Sequence, residues 1–292
     1  MTSSGAVADT PLDTILEQQS RQLSGSKLHD AQRFAGEFLR RVAADELAAR
    51  SAADWTALIA DMRAFVAVRQ ANKPKVRVFN PAVADQGFST SRTLVEVVTD
   101  DMPFLVDSVS MAIASAGLRI HSVIHPVLRV SRDAGGQLLA FDAAQGDSGV
   151  GESILHFEVD RITDMDGLER VKSAVIGALD DVRASVTDWQ AMRDHMLALA
   201  DDLAKRSLPV DADGIAEAQA FLRWATADNF TFLGYREYAV VRSGNDEVLQ
   251  AVKDSGLGIL RGSERSVAPR SLRTLTATTL PQSGAMDAII LT

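Results

Sequence analysis

The segment Thr93-Leu94-Val95-Glu96-Val97-Val98-Thr99-Asp100-Asp101-Met102-Pro103 carries the clearest structural signals in this chain of 292 residues. Its first part is mostly β-branched and apolar, a composition typical of a strand, and the Asp-Asp-Met-Pro sequence that ends it predicts a turn. Apolar residues then recur at helical spacing from residue 105 to residue 116, and Gly117 is a natural end for that helix. The segment therefore predicts a strand, a turn and a helix.

Further strands and a second helix follow this segment. Residues 118–130 alternate, with apolar side chains at most even positions and polar ones at most odd positions, so we expect a strand in which Pro126 marks a bulge or a bend. Residues 138–141 are expected to continue as a hairpin, and residues 152–161 as another strand. Apolar positions from 168 to 186 predict a long amphipathic helix.

The flanking segments complete the domain organisation. Residues 1–72 predict an N-terminal helical segment, because apolar residues recur at helical spacing at Phe34, Phe38 and Val42 and again at Trp55, Leu58, Ile59, Met62 and Val66. Residues 73–187 predict an α+β domain with helices on one face of an antiparallel sheet. Residues 188–228 predict a helical connector, and residues 229–292 the start of a second α+β domain. Because the last residues look like a strand with no cap or polar tail after it, we expect a truncated piece of a longer protein.

The composition excludes several classes of protein. Hydrophobic residues make up 46% and charged residues 24% of the chain, as in ordinary globular proteins. The formal net charge of −9 argues against nucleic acid as a partner, because binders of nucleic acid neutralise phosphates with Lys and Arg. The absence of a long apolar run and of a signal peptide predicts a cytoplasmic protein with no membrane partner. The lack of cysteine excludes disulfides and thiolate metal sites.

A polar sheet face is the first candidate for function. Its residues are Arg119, His121, His125, Arg129 and, on a second strand, His156. Three converging imidazoles would be able to hold zinc, which would make the chain an enzyme in its own right. The arginine charges on the same face oppose a cation, however, and Glu152 and Glu158 offer those arginines partners across the sheet. We therefore favour a polar outer face or a subunit contact, with no metal, over the metal site.

The turn before the helix is the second candidate. Asp100 and Asp101 are paired carboxylates, but no nucleophile or matched base lies nearby in the sequence, so N-capping and turn formation explain them better than acid–base catalysis. The backbone N–H groups from Phe104 onward nevertheless form a helix N-terminus, which suits a ligand carboxylate.

A glycine turn near the end of the chain is the third candidate. Gly256-Leu257-Gly258-Ile259-Leu260-Arg261 begins like a dinucleotide fingerprint, but Arg261 replaces the last small residue and no strand–helix frame surrounds it. We interpret it as an ordinary turn, so no cofactor is expected in this chain.

Two groups of residues resemble a known family. Residues 93–108, 118–126 and the pair Arg132-Asp133 resemble the first ACT-type domain of the bacterial large-subunit NAD-specific glutamate dehydrogenases. Residues 228–236, Asp-Asn-Phe-Thr-Phe-Leu-Gly-Tyr-Arg, resemble a second signature of the same family. The similarity extends from about Leu28 through nearly the whole chain.

The resemblance implies an ACT-type (ferredoxin-like) fold and a longer, oligomeric parent enzyme. That parent would use NAD to deaminate L-glutamate oxidatively to 2-oxoglutarate and ammonia, with its dehydrogenase core far downstream of the residues matched here. This chain would then be a non-catalytic region for regulation and assembly, with no catalytic or NAD-binding residue of its own. Its expected partners are the remaining domains of the parent, further copies of the chain and an amino-acid effector.

The resemblance also implies a site for the effector or for subunit contact. ACT-type domains use the turn between the first strand and helix, which here is Asp100, Asp101, Met102, Pro103 and Phe104. Ligand-binding members usually have glycine after the proline, where Phe104 stands in this chain. The usual final strand is absent as well, so we expect residues 76–79 to fill that edge of the sheet. A freestanding amino-acid-binding module remains the alternative function.

Overall fold

The computed structural model describes residues 11–143, 149–205, 211–243, 246–262 and 285–288. The chain divides into two compact units, Met1–Leu179 and Asp180–Thr292. The elements that begin in the first unit are, in chain order, α1 Pro11–Ser20, α2 Gly25–Leu39, α3 Ala44–Ala48, α4 Ala52–Val66, β1 Lys75–Phe79, α5 Val83–Gln86, β2 Thr93–Asp100, α6 Leu105–Ser115, β3 Ile120–Ile124, β4 Val127–Arg132, β5 Leu138–Ala143, β6 Val150–Val159 and α7 Met165–Leu203.

The sheet of the first unit is antiparallel and has the strand order β1-β2-β6-β4-β5, with β3 also paired to β6. Strand β1 pairs with β2, with Val76 opposite Val97, so the prediction that residues 76–79 fill this edge is confirmed. The predicted strand over residues 118–130 is divided into β3 and β4 around Pro126, because proline has no N–H to donate to the ladder.

Helices α1 to α4 cover one face of this sheet. Their buried apolar side chains form one core with strand residues such as Leu94, Ile124 and Ile154. The predicted stripe residues Phe34 and Phe38 are both in this core, and so are all five of those in α4. The N-terminal helices and the sheet therefore share one hydrophobic core.

The side chains on the other face of the central strands β2 and β6 are equally buried. Val95 and Val97 of β2 and Leu155 and Phe157 of β6 have no exposed surface, and they alternate with the residues that contact the N-terminal helices. Buried side chains of α6 and of the first part of α7 provide the apolar cover on this side. The α+β fold with an antiparallel sheet is confirmed, and the N-terminal helices add a layer on the second face.

The second unit contains the C-terminal part of α7 and a smaller sheet. Its further elements are α8 Ala212–Trp224, a π turn Ala225–Asn229, β7 Gly234–Ser243, β8 Asp246–Ala251, β9 Leu257–Gly258 and β10 Ala285–Ala288. Strands β10, β7 and β8 are adjacent in that order, and β9 pairs with β7. The predicted strand at the end of the chain corresponds to β10 in part, and residues 289–292 lie outside the described residues.

One helix replaces the two that the sequence predicts on either side of residue 188. Helix α7 is continuous for 39 residues, because no proline or turn sequence interrupts it. Despite that length, no helix among the described residues is apolar enough to cross a membrane.

Candidate functional site

A buried ionic cluster links the N-terminal helices to the sheet. We call it the Glu152 cluster; it consists of Arg69, Asp100, Arg132 and Glu152. Arg69 Nη2 lies 2.6 Å from Asp100 Oδ1 and 2.7 Å from Glu152 Oε1. Arg132 binds both carboxylate oxygens of Glu152, at 2.8 Å through Nε and 2.7 Å through Nη2. Two positive and two negative groups thus neutralise one another away from water.

Backbone carbonyls complete the hydrogen bonding of this cluster. Arg132 Nη2 donates to the carbonyl of Val66 at 2.9 Å, and Arg69 Nη1 donates to that of Lys73 at 3.1 Å. Both acceptors belong to the region around the end of α4, so the guanidinium groups tie the last N-terminal helix to β4 and β6. Since Glu152 is only 1% exposed, its charge depends entirely on these partners.

A second buried set, the His156 cluster, lies on the same face and consists of Arg50, Arg77, Glu96, His156 and Glu158. His156 Nδ1 is 2.8 Å from Glu96 Oε1, which faces it across the β2–β6 ladder. Arg77 Nε donates to Glu96 Oε2 at 2.5 Å, and the Arg50 guanidinium pairs with Glu158. His156 Nε2 lies 3.8 Å from Glu158 Oε1, so the ring is between two carboxylates.

Charges in the His156 cluster shift two pKa values in opposite directions. Burial by itself lowers the pKa of His156, but the carboxylates of Glu158 and Glu96 outweigh it and raise that pKa above its usual value. Burial would raise the pKa of Glu158, whereas His156 and Arg50 lower it to about 2. The arrangement favours a charged imidazole beneath the N-terminal helices.

The structure does not bring the three histidines together. His156 is fully buried and pairs in register with Ile124 rather than with His125, while His121 lies near the surface, 2.7 Å from Asp160. The assignment of His156 to a polar outer face is therefore corrected, because α2 and its neighbours cover that face. Within the described ranges, no group of three His, Asp or Glu side chains is placed to hold a metal.

The arginines of the predicted polar face remain near the surface. The backbone N–H of Arg119 donates to Asp160 Oδ2 at 3.1 Å, and Arg129 Nη1 donates to the carbonyl of Gly149 at 3.1 Å. Glu152 and Glu158 pair with Arg69, Arg132 and Arg50 rather than with the two arginines of the predicted polar face. Two of the three come from the N-terminal segment, which the pattern of the strands alone does not reveal.

The predicted turn adopts a conformation that glycine would favour. Phe104 is the N-cap of α6 at φ 69° and ψ 3°, in the left-handed region, and its side chain makes no capping hydrogen bond. Phe104 is 47% exposed. The expected N-capping by the aspartates is wrong, because Asp100 belongs to the Glu152 cluster and Asp101 bonds to β6.

Asp101 and His125, both predicted as site residues, are joined through Ser153. The Ser153 hydroxyl donates to Asp101 Oδ1 at 2.6 Å, and His125 Nε2 lies 3.0 Å from Ser153 Oγ. Since the hydroxyl proton is given to the carboxylate, His125 must donate through Nε2. Burial lowers the pKa of His125, as does Arg41, while Asp101 acts in the opposite sense.

This order of groups differs from that of a nucleophilic triad. In a triad the histidine accepts the hydroxyl proton and the carboxylate orients the histidine, whereas here the serine lies between them. Ser153 is also fully buried. The hydrogen bonds from Asp101 through Ser153 to His125 therefore position the imidazole and activate no nucleophile.

His125 lines a groove of about 270 Å³ in the first unit. The groove lies among the end of α2, α3, the first turn of α6 and the connection between β3 and β4. Its lining residues are Glu37, Phe38, Arg40, Arg41, Val42, Glu46, Val106, Val123, Ile124, His125, Pro126 and Val127. Val106 lies two residues after the predicted effector turn, and Asp101 is linked to the groove through Ser153 and His125. The turn and the groove therefore form one candidate site.

The glycine turn of the second unit does not fit a phosphate group. The backbone N–H of Gly258 donates to Asp188 Oδ2 at 2.8 Å, and Arg261 pairs with the same carboxylate. A fingerprint loop offers such N–H groups to a pyrophosphate. A Cβ at Gly256 or Gly258 would collide with backbone carbonyls, so close backbone packing explains both glycines.

Comparisons with known proteins agree with this architecture. The family model described as "Glutamate dehydrogenase, ACT1 domain" matches residues 34–175. The chain is 33% identical over 253 residues to the NAD-specific glutamate dehydrogenase of Halomonas elongata. This alignment covers 86% of the chain and 16% of that protein. It is 32% identical over 252 residues to the protein of that name from Pseudomonas aeruginosa, covering 86% and 15% of the two chains.

The resemblance to the bacterial NAD-specific glutamate dehydrogenases is confirmed. The protein of that name from Mycobacterium tuberculosis matches 58% of this chain and 10% of its own length, at 29% identity. The ACT1 match begins within α2 and ends within α7, so it includes N-terminal helices as well as the sheet. The chain spans about one sixth of the length of the two relatives that match 86% of it.

Proposed function

We propose that this chain is the N-terminal, non-catalytic region of an NAD-dependent glutamate dehydrogenase, in which the ACT1 domain supports subunit contacts and senses an amino acid. The match of 86% of the chain to proteins of that name carries the proposal. The full-length enzyme would use NAD to convert L-glutamate to 2-oxoglutarate and ammonia in the cytoplasm. The partners of this region would be the remaining domains of the enzyme, other subunits and the effector.

The geometry of the candidate site supports binding rather than catalysis. Ser153 gives its proton to a carboxylate, and the glycine turn gives its N–H group to Asp188. What the ACT1 domain does offer is a groove with charged and apolar sides next to the predicted effector turn. A freestanding amino-acid-binding module is the second candidate, since a single unit provides the whole groove. The small share of each relative that the chain covers favours the first candidate.

Activity and assembly of the full-length enzyme test the proposal. We expect the isolated chain to show no glutamate-dependent reduction of NAD, and the full-length enzyme without residues 1–292 to lose its response to amino acids or to change its mass in light scattering. Reduction of NAD by the isolated chain would contradict the proposal. So would a truncated enzyme with the same assembly and the same response.

If the truncated enzyme does not fold, a point variant provides the same test of the proposed function. Glu152→Gln in the full-length enzyme weakens the ACT1 core alone, and the proposal requires it to change assembly or the amino-acid response. Asp142→Asn, at an exposed ion pair of the same domain, is the matched control and is expected to change neither.

A further inference from the structure

The charges that line the groove of the ACT1 domain do not all pair with one another. Glu37 and Arg40 form an ion pair at 2.6 Å and so neutralise each other. Arg41 lines the groove, and no carboxylate in the described part of the chain forms an ion pair with it. Glu46 accepts a hydrogen bond from the Ser122 hydroxyl and, among the same residues, also has no cationic partner. One positive and one negative charge are therefore left for a ligand.

His125 adds a polar group without adding a charge at neutral pH. Its pKa is lowered by burial, with Arg41 contributing in the same direction. Because Nε2 donates to Ser153, Nδ1 is the acceptor nitrogen of the neutral ring. The net charge that the groove presents is thus zero.

The rest of the lining is apolar. Val106, Val123, Pro126 and Val127 contribute hydrocarbon surface, and Phe38 adds an aromatic ring. A charged ligand side chain against these residues would lose its hydration without gaining a partner. The volume of about 270 Å³ is also small compared with pockets for drug-sized molecules, so it suits one amino acid better than a nucleotide.

From this arrangement we propose that the groove binds a neutral L-α-amino acid with an apolar side chain. Arg41 holds the carboxylate, Glu46 holds the ammonium group, and the valines with Phe38 surround the side chain. The inference rests on the proposed sensing function and names its ligand class and its residues. It places the ligand beside the effector turn rather than on the turn itself.

Calorimetry and thermal unfolding of the complete chain test the ligand class. L-leucine, L-isoleucine and L-valine are the probes, and D-leucine, L-aspartate and L-arginine are the comparison compounds. We expect a neutral L-amino acid at saturating concentration to raise the Tm by a few degrees. The Kd should be at least about 10-fold higher for the comparison compounds. L-aspartate and L-arginine lose the apolar contact of the side chain, and D-leucine loses one of the charged contacts.

Substitutions in the groove test the residues. Arg41→Gln and Glu46→Gln should each weaken the binding of L-leucine by about 10-fold or more, because each removes a charge-assisted hydrogen bond. Arg21→Gln is the matched control, since Arg21 pairs with Glu17 on α1 outside the groove. We expect it to leave the Kd unchanged.

Each other outcome overturns the inference in a recognisable way. Binding of aspartate or arginine but not of leucine would show that the ligand class is wrong. Binding that survives Arg41→Gln and is abolished by Asp101→Ala would place the ligand on the turn. That result would support the sensing function and contradict the groove as the binding site. If none of the compounds binds at about 10 mM, sensing is lost as well, and assembly alone remains of the proposed function.

Discussion

The two faces of the central β2–β6 ladder are equally buried, but only one of them carries charged side chains. On the face toward α6 and α7, Val97 and Phe157 are fully buried among apolar side chains. On the face toward the N-terminal helices, Glu96 and Glu152 are 1% exposed and His156 is fully buried. The same two strands therefore bury uncharged side chains on one side, and ions together with apolar residues such as Leu94 and Ile154 on the other.

This difference shows what each layer of helices contributes. An apolar face is stabilised by any cover that excludes water, because burial of hydrocarbon has no preferred direction. A charged face is stabilised only by particular partners at hydrogen-bond distance. Arg50 and Arg69, which come from the N-terminal segment, are such partners. We infer that the ions determine where the N-terminal helices dock, and that the apolar residues provide much of the favourable free energy.

The largest expected effect is that of Glu152→Gln on the charged face. The substitution leaves Arg69 and Arg132 buried without a full counter-charge, so we expect the free energy of unfolding to fall by about 3–5 kcal/mol. Urea denaturation of the purified chain measures it. A loss below about 1 kcal/mol would show that water or Asp100 replaces the carboxylate, and the contrast between the faces would then be weak.

Leu155→Ala on the apolar face should lower the free energy of unfolding slightly less than Glu152→Gln does. Removing buried methyl groups at a fully buried position leaves a cavity, for which about 2–4 kcal/mol is typical. Because no charge is involved, we expect the same loss at pH 5 and pH 8. A loss that changes with pH would mean that the two faces are energetically coupled.

The pH dependence of stability should come from the His156 cluster. The lowered pKa of Glu158 gives stability that is complete above pH 4.5 and is lost as the pH falls toward about 2. The raised pKa of His156 gives stability that is complete below pH 6.5 and is lost as the pH rises through the folded-state pKa. We therefore expect this cluster to stabilise the fold most between these limits.

Two variants separate the acidic and alkaline parts of the dependence of stability on pH, which we call its two limbs. Glu158→Gln should flatten the acidic limb, and His156→Gln should flatten the alkaline limb, in Tm measured from pH 3 to pH 9. The Leu155→Ala variant is the control and should keep the shape of both limbs at a lower Tm. Unchanged limbs in both charge variants would place the titrating groups elsewhere.

The smallest effect is expected at a surface ion pair of the same domain. Arg33 and Asp142 are 2.7 Å apart, with side chains 41% and 57% exposed. Asp142→Asn should change the free energy of unfolding by less than about 1 kcal/mol, because solvent screens exposed pairs. A loss as large as that of Glu152→Gln would contradict the argument that burial makes the charged face sensitive.

Much of the fold is predictable from the sequence because its signals are local. The stripe that includes Phe34 and Phe38, the strand from Thr93 and the bend at Pro126 each follow from spacing or from one residue type. The site is less predictable. The sequence singles out Asp101 and His125 as candidates, but Ser153, which joins them, and Arg41, which lies beside His125 in the groove, carry no signal of their own.

Residue spacing along the chain is enough to predict the α+β class and which side chains of each strand share a face. Which face of the sheet is covered, and by which helices, depends on how the chain packs in three dimensions. The alternation around His156 and Glu158 is the same whether that face meets water or a second layer of helices. Arg50 and Arg69 are distant from these residues in the sequence, and packing alone brings them to the sheet.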